Sequence, residues 1–418
     1  MNTAPPAAKP EAGAVKPAAT APASRRLVSV DALRGFDMFW IIGANFFVTA
    51  LGQMSDNKLV KGIATQLEHQ EWEGFHFYDL IFPLFVFIVG VSLVFSLSKT
   101  LQLEGARAAH KRIFRRFILL FAVALLYSGG VSTEWPGIRL LGVLNRIALC
   151  YLFTALIFCH CRWKGMAGIC ISLLVGYWAL LSFVPFPDIR PLSATGEVVS
   201  QELTAANTTQ LNFASTNTLK GVFEPGLNLA NYLDQKLLPG KKWDKTWDPE
   251  GLLSTLPAIA TCLLGVFAGL LLQNQRLGDQ FKVNCLLAAG VLCLGAGFLW
   301  GVNFPVIKKI WTSSYVLVAG GYSAILLGVF YQIIEIWQRQ KWAQLFVWIG
   351  ANSITIYLAN NIIGFRILAR RFAGGDVKNF LDSAVTKGFG DLVMAVVAVG
   401  LAVGLAHFLY RRKIFLRL

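Results

Sequence analysis

Ionisable side chains are concentrated in a short stretch just before a long apolar run. Residues 67–90 read LEHQEWEGFHFYDLIFPLFVFIVG, and the first thirteen positions hold two of the five histidines and four carboxylates. Histidine titrates near pH 6.5, at about the right pH to act as a general base. His69 is one candidate, and Asp79, ten positions later across a turn at Gly74, could orient its imidazole. The alternative is that His69 is a solvated loop histidine.

The composition of the whole chain indicates that this stretch belongs to a membrane protein. Of the 418 residues, 55% are hydrophobic and only 15% are charged, whereas soluble domains are about 25% charged. Runs of about 20 apolar residues match the hydrocarbon thickness of a bilayer. The sequence therefore predicts an all-α, polytopic transmembrane bundle with about ten spans. The predicted spans lie at 36–55, 79–98, 113–130, 141–160, 166–185, 254–273, 283–301, 313–336, 343–362 and 390–410.

The distribution of Lys and Arg predicts the orientation of the bundle. Most of these cations lie in short gaps between apolar runs, and such gaps face the cytoplasm. We therefore expect both termini to be cytoplasmic, with residues 56–78 and a long loop at 186–253 on the opposite, periplasmic side. Residues 1–24 are rich in Ala and Pro and predict a disordered tail, which leaves 25–418 as the membrane domain.

The charge and cysteine patterns argue against two other classes of function. The formal net charge of +15 follows membrane topology, and no basic stripe with interleaved aromatic residues predicts nucleic-acid binding. Cys159, His160 and Cys161 are adjacent, and three adjacent residues cannot form a tetrahedral metal site alone. We expect no nucleic-acid partner and no metal.

A few polar residues fall within the predicted spans, where burial is costly and function is the first hypothesis. Arg146 lies inside an otherwise apolar span, whereas Arg34 is near enough to a span end to snorkel to the interface. Asn45 and Asn352 could instead supply hydrogen bonds between helices.

Seven local patterns occur in one order along the chain and together resemble a known family. They are RLVSVDALRG, HQEWEG followed by DLIFPLFVFIVG, GVLNRI, DPEGLLSTLPAI, KKIWTSSYVL, GANSITIYL and the terminal RRKIF. The chain resembles the heparan-α-glucosaminide N-acetyltransferase family, within the broader transmembrane acyltransferase group, from about residue 25 onward. The resemblance implies transfer of an acetyl group from cytosolic acetyl-CoA, the co-substrate, to an amino sugar across the membrane. Within this family, we expect the protein to be a bacterial member, a multi-pass protein of the inner membrane.

The resemblance also assigns residues to roles. It implies that His69 is catalytic, with Trp72 and Gly74 matching the rest of the motif, and that Asn45 matches the family's catalytic asparagine. Acetyl-CoA carries phosphates, which Arg binds in a bidentate manner. The candidate cofactor-binding residues are Arg34, Arg112, Arg115, Arg116, Arg146 and Asn352. The same cationic residues could serve only as a topology signal.

The sequence says less about the residues that bind the acceptor sugar. Trp72, Glu71, Trp247 and Asp248 are the candidate substrate-binding residues, although the tryptophans at 243 and 247 could equally form an interfacial aromatic belt. Acetylation of a larger envelope glycan is an alternative reaction. A sugar permease without chemistry is an alternative of a different class, and homo-oligomerisation is left open.

Overall fold

The structure is a computed structural model that describes residues 27–190 and 211–416. The expected tail at 1–24 and part of the loop at 186–253 lie outside the described residues. The described chain is almost entirely helical. Its elements are α1 (Val28–Phe39), α2 (Asn45–Met54), α3 (Lys58–Gln66), α4 (Ile81–Leu103), α5 (Gly105–Tyr127), α6 (Val143–His160), α7 (Trp163–Phe183), β1 (Phe186–Pro187), β2 (Thr218–Leu219), α8 (Leu229–Leu237), α9 (Thr255–Gln273), α10 (Asp279–Gly301), α11 (Ser313–Tyr331), α12 (Gln344–Ala351), α13 (Ser353–Ile362), α14 (Phe365–Ala373), α15 (Asp376–Ala384) and α16 (Phe389–Arg411).

The all-α membrane fold is confirmed, with fewer spans than expected. Within the described residues, eight helices are long and apolar enough to cross a bilayer, or nine if the bent pair α12 and α13 counts as one. The α12–α13 pair bends by 67° at Asn352. The helix α5 accounts for the remaining difference: Lys111, Arg112, Arg115 and Arg116 lie in its first half, which leaves too short an apolar part. The cytoplasmic placement of both termini stays a prediction.

Glycines allow α4 and α9 to pack with their backbones in contact. A Cβ at Gly90 would lie 2.0 Å from the carbonyl oxygen of Cys262, and one at Gly265 would lie 1.9 Å from that of Phe87. Small residues at such contacts are typical of membrane helix packing. Because α4 and α9 pack so closely, the residues just before α4 have a fixed position relative to the residues just before α9.

A second close contact fixes α1 against α12. A Cβ at Gly35 would lie 1.7 Å from the carbonyl oxygen of Phe346, and one at Gly350 would lie 1.9 Å from that of Asp31. The helix α1 is followed by a π-helical turn, Trp40–Ala44, in which Gly43 has a φ of 119°. Glycine adopts this backbone angle without steric cost. The first predicted span is therefore an interrupted helix from Val28 to Met54.

The described part of the loop at 186–253 packs against the bundle. β1 and β2 pair antiparallel, with Phe186 opposite Leu219. The short helix α8 is capped by Asn228, whose side chain accepts a hydrogen bond from the Asn231 amide. This subdomain has its own apolar core, which includes buried Phe186 and Leu229.

Candidate functional site

The loop between α3 and α4 folds back so that His69 meets Asp79. Gly74 has a φ of 119°, which permits the reversal. The Nδ1 atom of His69 lies 2.9 Å from Oδ1 of Asp79. The amides of Gln70 and His76 donate to Asp79 Oδ2 at 3.2 and 3.1 Å, and Asp79 is fully buried. The structure thus brings the two predicted residues together, with the carboxylate fixed at the start of α4.

Lys308 is a third member of this group, and the sequence did not single it out. Its Nζ lies 2.8 Å from Nδ1 of His69 and 3.2 Å from Oδ1 of Asp79. It comes from the segment between α10 and α11, and its only signal in the sequence was membership of the KKIWTSSYVL pattern. His69 Nδ1 can donate to Asp79 or accept from Lys308, but it cannot do both at once.

The surroundings favour a neutral imidazole at His69. Partial burial lowers the pKa of His69, its hydrogen bond to Asp79 opposes this, and the charge of Lys308 lowers the pKa further. Burial also lowers the pKa of Lys308, against the effect of Asp79. A general base must be unprotonated to act, so a lowered pKa keeps His69 competent at neutral pH.

His69 opens onto a cavity of about 410 Å³, which we call the His69 cavity. Apolar side chains line its deep part. They include Met38, Ile41, Phe82, Phe85 and Ile147. Polar and aromatic side chains line its mouth. They include His69, Lys308, Glu250, Trp243 and Tyr357. A mostly apolar cavity with a few convergent polar groups is typical of a small-molecule site.

A second cavity, of about 500 Å³, lies toward the other end of α4. We call it the Arg34 cavity. Its polar wall comes from α1, α4 and α5, and includes Asp31, Arg34, Ser92, Ser96, Lys99 and Arg112. The Arg34 guanidinium donates to Ser92 Oγ at 2.5 Å, and Arg112 donates to Thr100 Oγ1 at 3.0 Å. Three cations and two carboxylates, Asp31 and Glu104, line this opening, and the net positive charge suits a ligand that carries phosphates.

The same helix faces line both cavities. On α1 and the residues next to its two ends, positions 27, 30, 31 and 34 border the Arg34 cavity, and positions 38 and 41 continue that face into the His69 cavity. On α4, positions 82 and 85 border the His69 cavity, and positions 92, 96 and 99 border the other. Seven residues of helix rise by roughly 10 Å, so only about two turns of α4 separate the cavities.

Asn45 and Arg146 line neither of the two cavities, and their predicted roles stay predictions. Asn45 makes no hydrogen bond to His69 among the described residues, and its buried Oδ1 has no partner there. Arg146 lies on the first turn of α6, at the His69 end of the bundle, and is fully buried. It donates to the Gly251 carbonyl oxygen at 3.3 Å and to Ser254 Oγ. These contacts tie α6 to the start of α9 and place Arg146 away from the Arg34 cavity.

The other predicted cofactor residues also lie outside the Arg34 cavity. Arg115 is exposed on α5, and the Arg116 guanidinium lies 4.5 Å from the centre of the Tyr151 ring. Asn352 is 3% exposed at the bend between α12 and α13, and neither polar atom of its side chain has a partner in the described part of the chain. Arg34 is therefore the predicted residue that the geometry places in a cationic cavity, and Arg112 joins it.

The predicted acceptor residues mostly support the loop. Trp72 donates to the Phe223 carbonyl oxygen at 2.8 Å, and its ring packs 5.7 Å from that of Trp247. Trp247 is 4% exposed and Asp248 is 1% exposed, while Glu71 is exposed outside the cavity lining. Their neighbours Trp243 and Glu250 line the cavity instead.

Comparison with known proteins agrees with the resemblance in the motifs. Residues 26–213 match the model of a family described as heparan-alpha-glucosaminide N-acetyltransferase, catalytic. A mouse protein named heparan-alpha-glucosaminide N-acetyltransferase is 23% identical over 94% of this chain, and a human protein of the same name is 26% identical over 93%. The chain spans 60% and 59% of the lengths of these relatives. The resemblance is therefore confirmed: this multi-pass membrane protein is similar to the heparan-alpha-glucosaminide N-acetyltransferases.

Proposed function

We propose that the protein transfers an acetyl group from cytosolic acetyl-CoA to the amino group of a glucosamine-type sugar on the other face of the membrane. The observation that carries this proposal is the pair of cavities on one face of α1 and α4. One cavity has a base–carboxylate pair at its mouth and the other has a cationic wall. The names of the two relatives support the same reaction class.

The reaction needs few groups because the thioester is already activated. His69 takes a proton from the amine nitrogen, which attacks the acetyl carbonyl carbon. The C–N bond forms, the C–S bond breaks, and the thiolate of CoA takes up a proton. Asp79 would hold the imidazole so that Nε2 carries the free lone pair, as a carboxylate does beside other histidine bases.

The phosphate-bearing end of acetyl-CoA would occupy the Arg34 cavity, with Arg34, Lys99 and Arg112 around it. The pantetheine arm would run along the shared face of α1 and α4 toward His69. Met38 and Phe85 give the His69 cavity an apolar floor, which suits the acetyl thioester. A direct transfer with both substrates bound is consistent with this arrangement.

The decisive experiment measures release of free CoA thiol from acetyl-CoA by the purified protein. Release should depend on added glucosamine and should yield one N-acetylated product per thiol. Thiol release only with a larger glycan acceptor would redirect the acceptor assignment. Transport of the sugar without thiol release would instead support the permease.

A cofactor prediction follows from the Arg34 cavity. Arg112→Ala should raise the KM for acetyl-CoA by about 10- to 100-fold, because a charge-assisted hydrogen bond contributes roughly 1.5–3 kcal/mol. The KM for the amino sugar should change little. Arg107→Ala is the matched control, since Arg107 is exposed on the same helix and does not line the cavity. Equal acetyl-CoA affinities in both variants would contradict the placement of the nucleotide.

An orientation prediction follows from the Lys and Arg distribution. A cysteine introduced at Lys58 should react with a membrane-impermeant thiol reagent in intact cells, whereas one introduced at Gln102 should react only after lysis. Both positions are exposed, at opposite ends of the α3–α4 region, so access to the reagent is the only variable. The reverse pattern would overturn the topology and would place the His69 cavity on the cytoplasmic side.

A further inference from the structure

Two carboxylates share one guanidinium at the mouth of the His69 cavity. Arg139 binds Asp248 in a bidentate manner, with Nε 2.8 Å from Oδ2 and Nη2 2.6 Å from Oδ1. The same Nη2 also donates to Oε2 of Glu250. Arg139 therefore neutralises one of the two negative charges, and the other remains in the cluster.

The two carboxylates have different surroundings. Asp248 is 1% exposed and also accepts hydrogen bonds from the amides of Trp243 and Glu250, at 3.0 Å each. Both of its carboxylate oxygens therefore accept hydrogen bonds from Arg139 and from the loop backbone. Glu250 lines the cavity, and no hydrogen bond from the described residues reaches its Oε1. Glu250 is thus the carboxylate with an oxygen available to a ligand.

The two nearby lysines pair with other carboxylates rather than with Glu250. Lys308 lies 3.2 Å from Asp79, and Lys309 lies 3.5 Å from Asp244. Arg139 and the buried Arg146 both favour the charged form of Glu250, but among the described residues no donor reaches its Oε1. Burial raises the pKa of Glu250, and a cation bound beside it would stabilise its charged form.

We propose that Glu250 binds the amino group of the acceptor as an ammonium ion and thereby selects amino sugars over neutral sugars. This inference rests on the proposed function. An ammonium group has three N–H donors, and Glu250 and His69 line the same cavity and can accept two of them. After His69 removes one proton, the neutral amine keeps its hydrogen bond to Glu250 and stays aimed at the thioester.

Trp243 completes the proposed acceptor site. It is 68% exposed and lines the cavity, and the Arg139 guanidinium lies 5.1 Å from the centre of its ring. An exposed indole fixed by a cation offers a flat apolar surface beside Glu250. The apolar face of a pyranose ring fits such a surface, with the amino group directed toward the carboxylate.

Glu250→Gln tests the proposal through binding selectivity. Wild-type protein should bind glucosamine about 10- to 100-fold more tightly than glucose, and the variant should lose this preference, because it replaces a charge-assisted hydrogen bond by a neutral one. Its KM for glucosamine should rise by a similar factor while acetyl-CoA binding is unchanged. Glu250→Asp should restore part of the preference. Glu73→Gln is the control, since Glu73 is exposed and outside the cavity lining.

Two results separate this proposal from the proposed function. If wild-type protein acetylates glucosamine and Glu250→Gln keeps both the wild-type KM and the selectivity, Glu250 does not bind the amine and the inference is wrong. If wild-type protein prefers glucosamine to glucose in a Glu250-dependent manner but releases no CoA thiol, the binding site stands and the acetyltransferase function fails. A variant with weakened acetyl-CoA binding would be misfolded, and Glu250→Asp then decides the question.

Discussion

The His69→Ala variant is expected to lose about 10²–10⁴-fold in the rate of acetyl transfer, the usual contribution of a general base. The reason is geometric as well as chemical, because His69 is the histidine that lines the cavity and that pairs with a buried carboxylate at 2.9 Å. Binding of acetyl-CoA should be unchanged, since the Arg34 cavity lies toward the other end of α4. Thiol release and calorimetric binding measure the two effects separately.

His76→Ala is the matched control for this substitution. His76 belongs to the same loop, but its Nδ1 lies 3.1 Å from the Glu68 carbonyl oxygen and it does not line the cavity. We expect near wild-type turnover. An active His69→Ala protein beside an inactive His76→Ala protein would reverse the assignment. An acetylated enzyme trapped with acetyl-CoA alone would keep His69 but replace direct transfer by a two-step mechanism.

The pH dependence of the rate provides an independent check on His69. Its pKa is lowered by burial and by Lys308, so the imidazole stays neutral to more acidic pH than a free histidine. The rate should therefore fall only as the pH drops below about 6.5. This acid limb should be absent from the residual activity of His69→Ala.

Local sequence was sufficient to predict the pairing of His69 with Asp79. The two residues are ten positions apart, and Gly74 between them allows the reversal that the structure shows. Lys308 could not be predicted in the same way, because it reaches the pair from 239 residues away. Its position depends on how α10 and α11 pack against α4, and periodicity does not encode such a relation.

The predictions on the loop show the same limit. Trp247 and Asp248 were predicted to contact the acceptor, but the members of this segment face in different directions. Trp247 and Asp248 turn inward to hold Trp72 and Arg139, whereas Trp243 and Glu250 line the cavity. Residue type alone does not distinguish the two sets when the segment has no regular period.

Helix length was predictable, and helix continuity was not. The apolar runs locate the membrane helices well, but α5 has five cations in its first half and the α12–α13 pair breaks at Asn352. A hydropathy pattern averages over such features. The distortion at Gly43, just before Asn45, is of the same kind.

The Asp79→Asn variant should show a second large loss, about 10²–10⁴-fold in kcat, although the side chain keeps its shape. In wild-type protein, Asp79 Oδ2 accepts the amides of Gln70 and His76, and Oδ1 faces His69. In the variant, the asparagine carbonyl oxygen must take the position facing the two amides, so its NH₂ group faces His69 Nδ1. The imidazole then carries its proton on Nε2, where the base needs a lone pair.

Lys308 strengthens this effect and makes Asp79 testable as a positioning residue. Once Asp79 is neutral, the Lys308 ammonium loses its carboxylate partner and can donate to His69 Nδ1 from 2.8 Å, which favours the same unproductive tautomer. A merely structural loss would lower the thermal stability and leave the pH profile unchanged. A loss of tautomer control should leave the fold and acetyl-CoA binding intact and lower kcat at every pH above the acid limb. Asp56→Asn, at an exposed carboxylate that pairs with Lys61, is the control that should change neither kcat nor the thermal stability. If Asp79→Asn keeps its turnover while Asp56→Asn does as well, His69 acts without a carboxylate, and Lys308 becomes the group that sets its protonation.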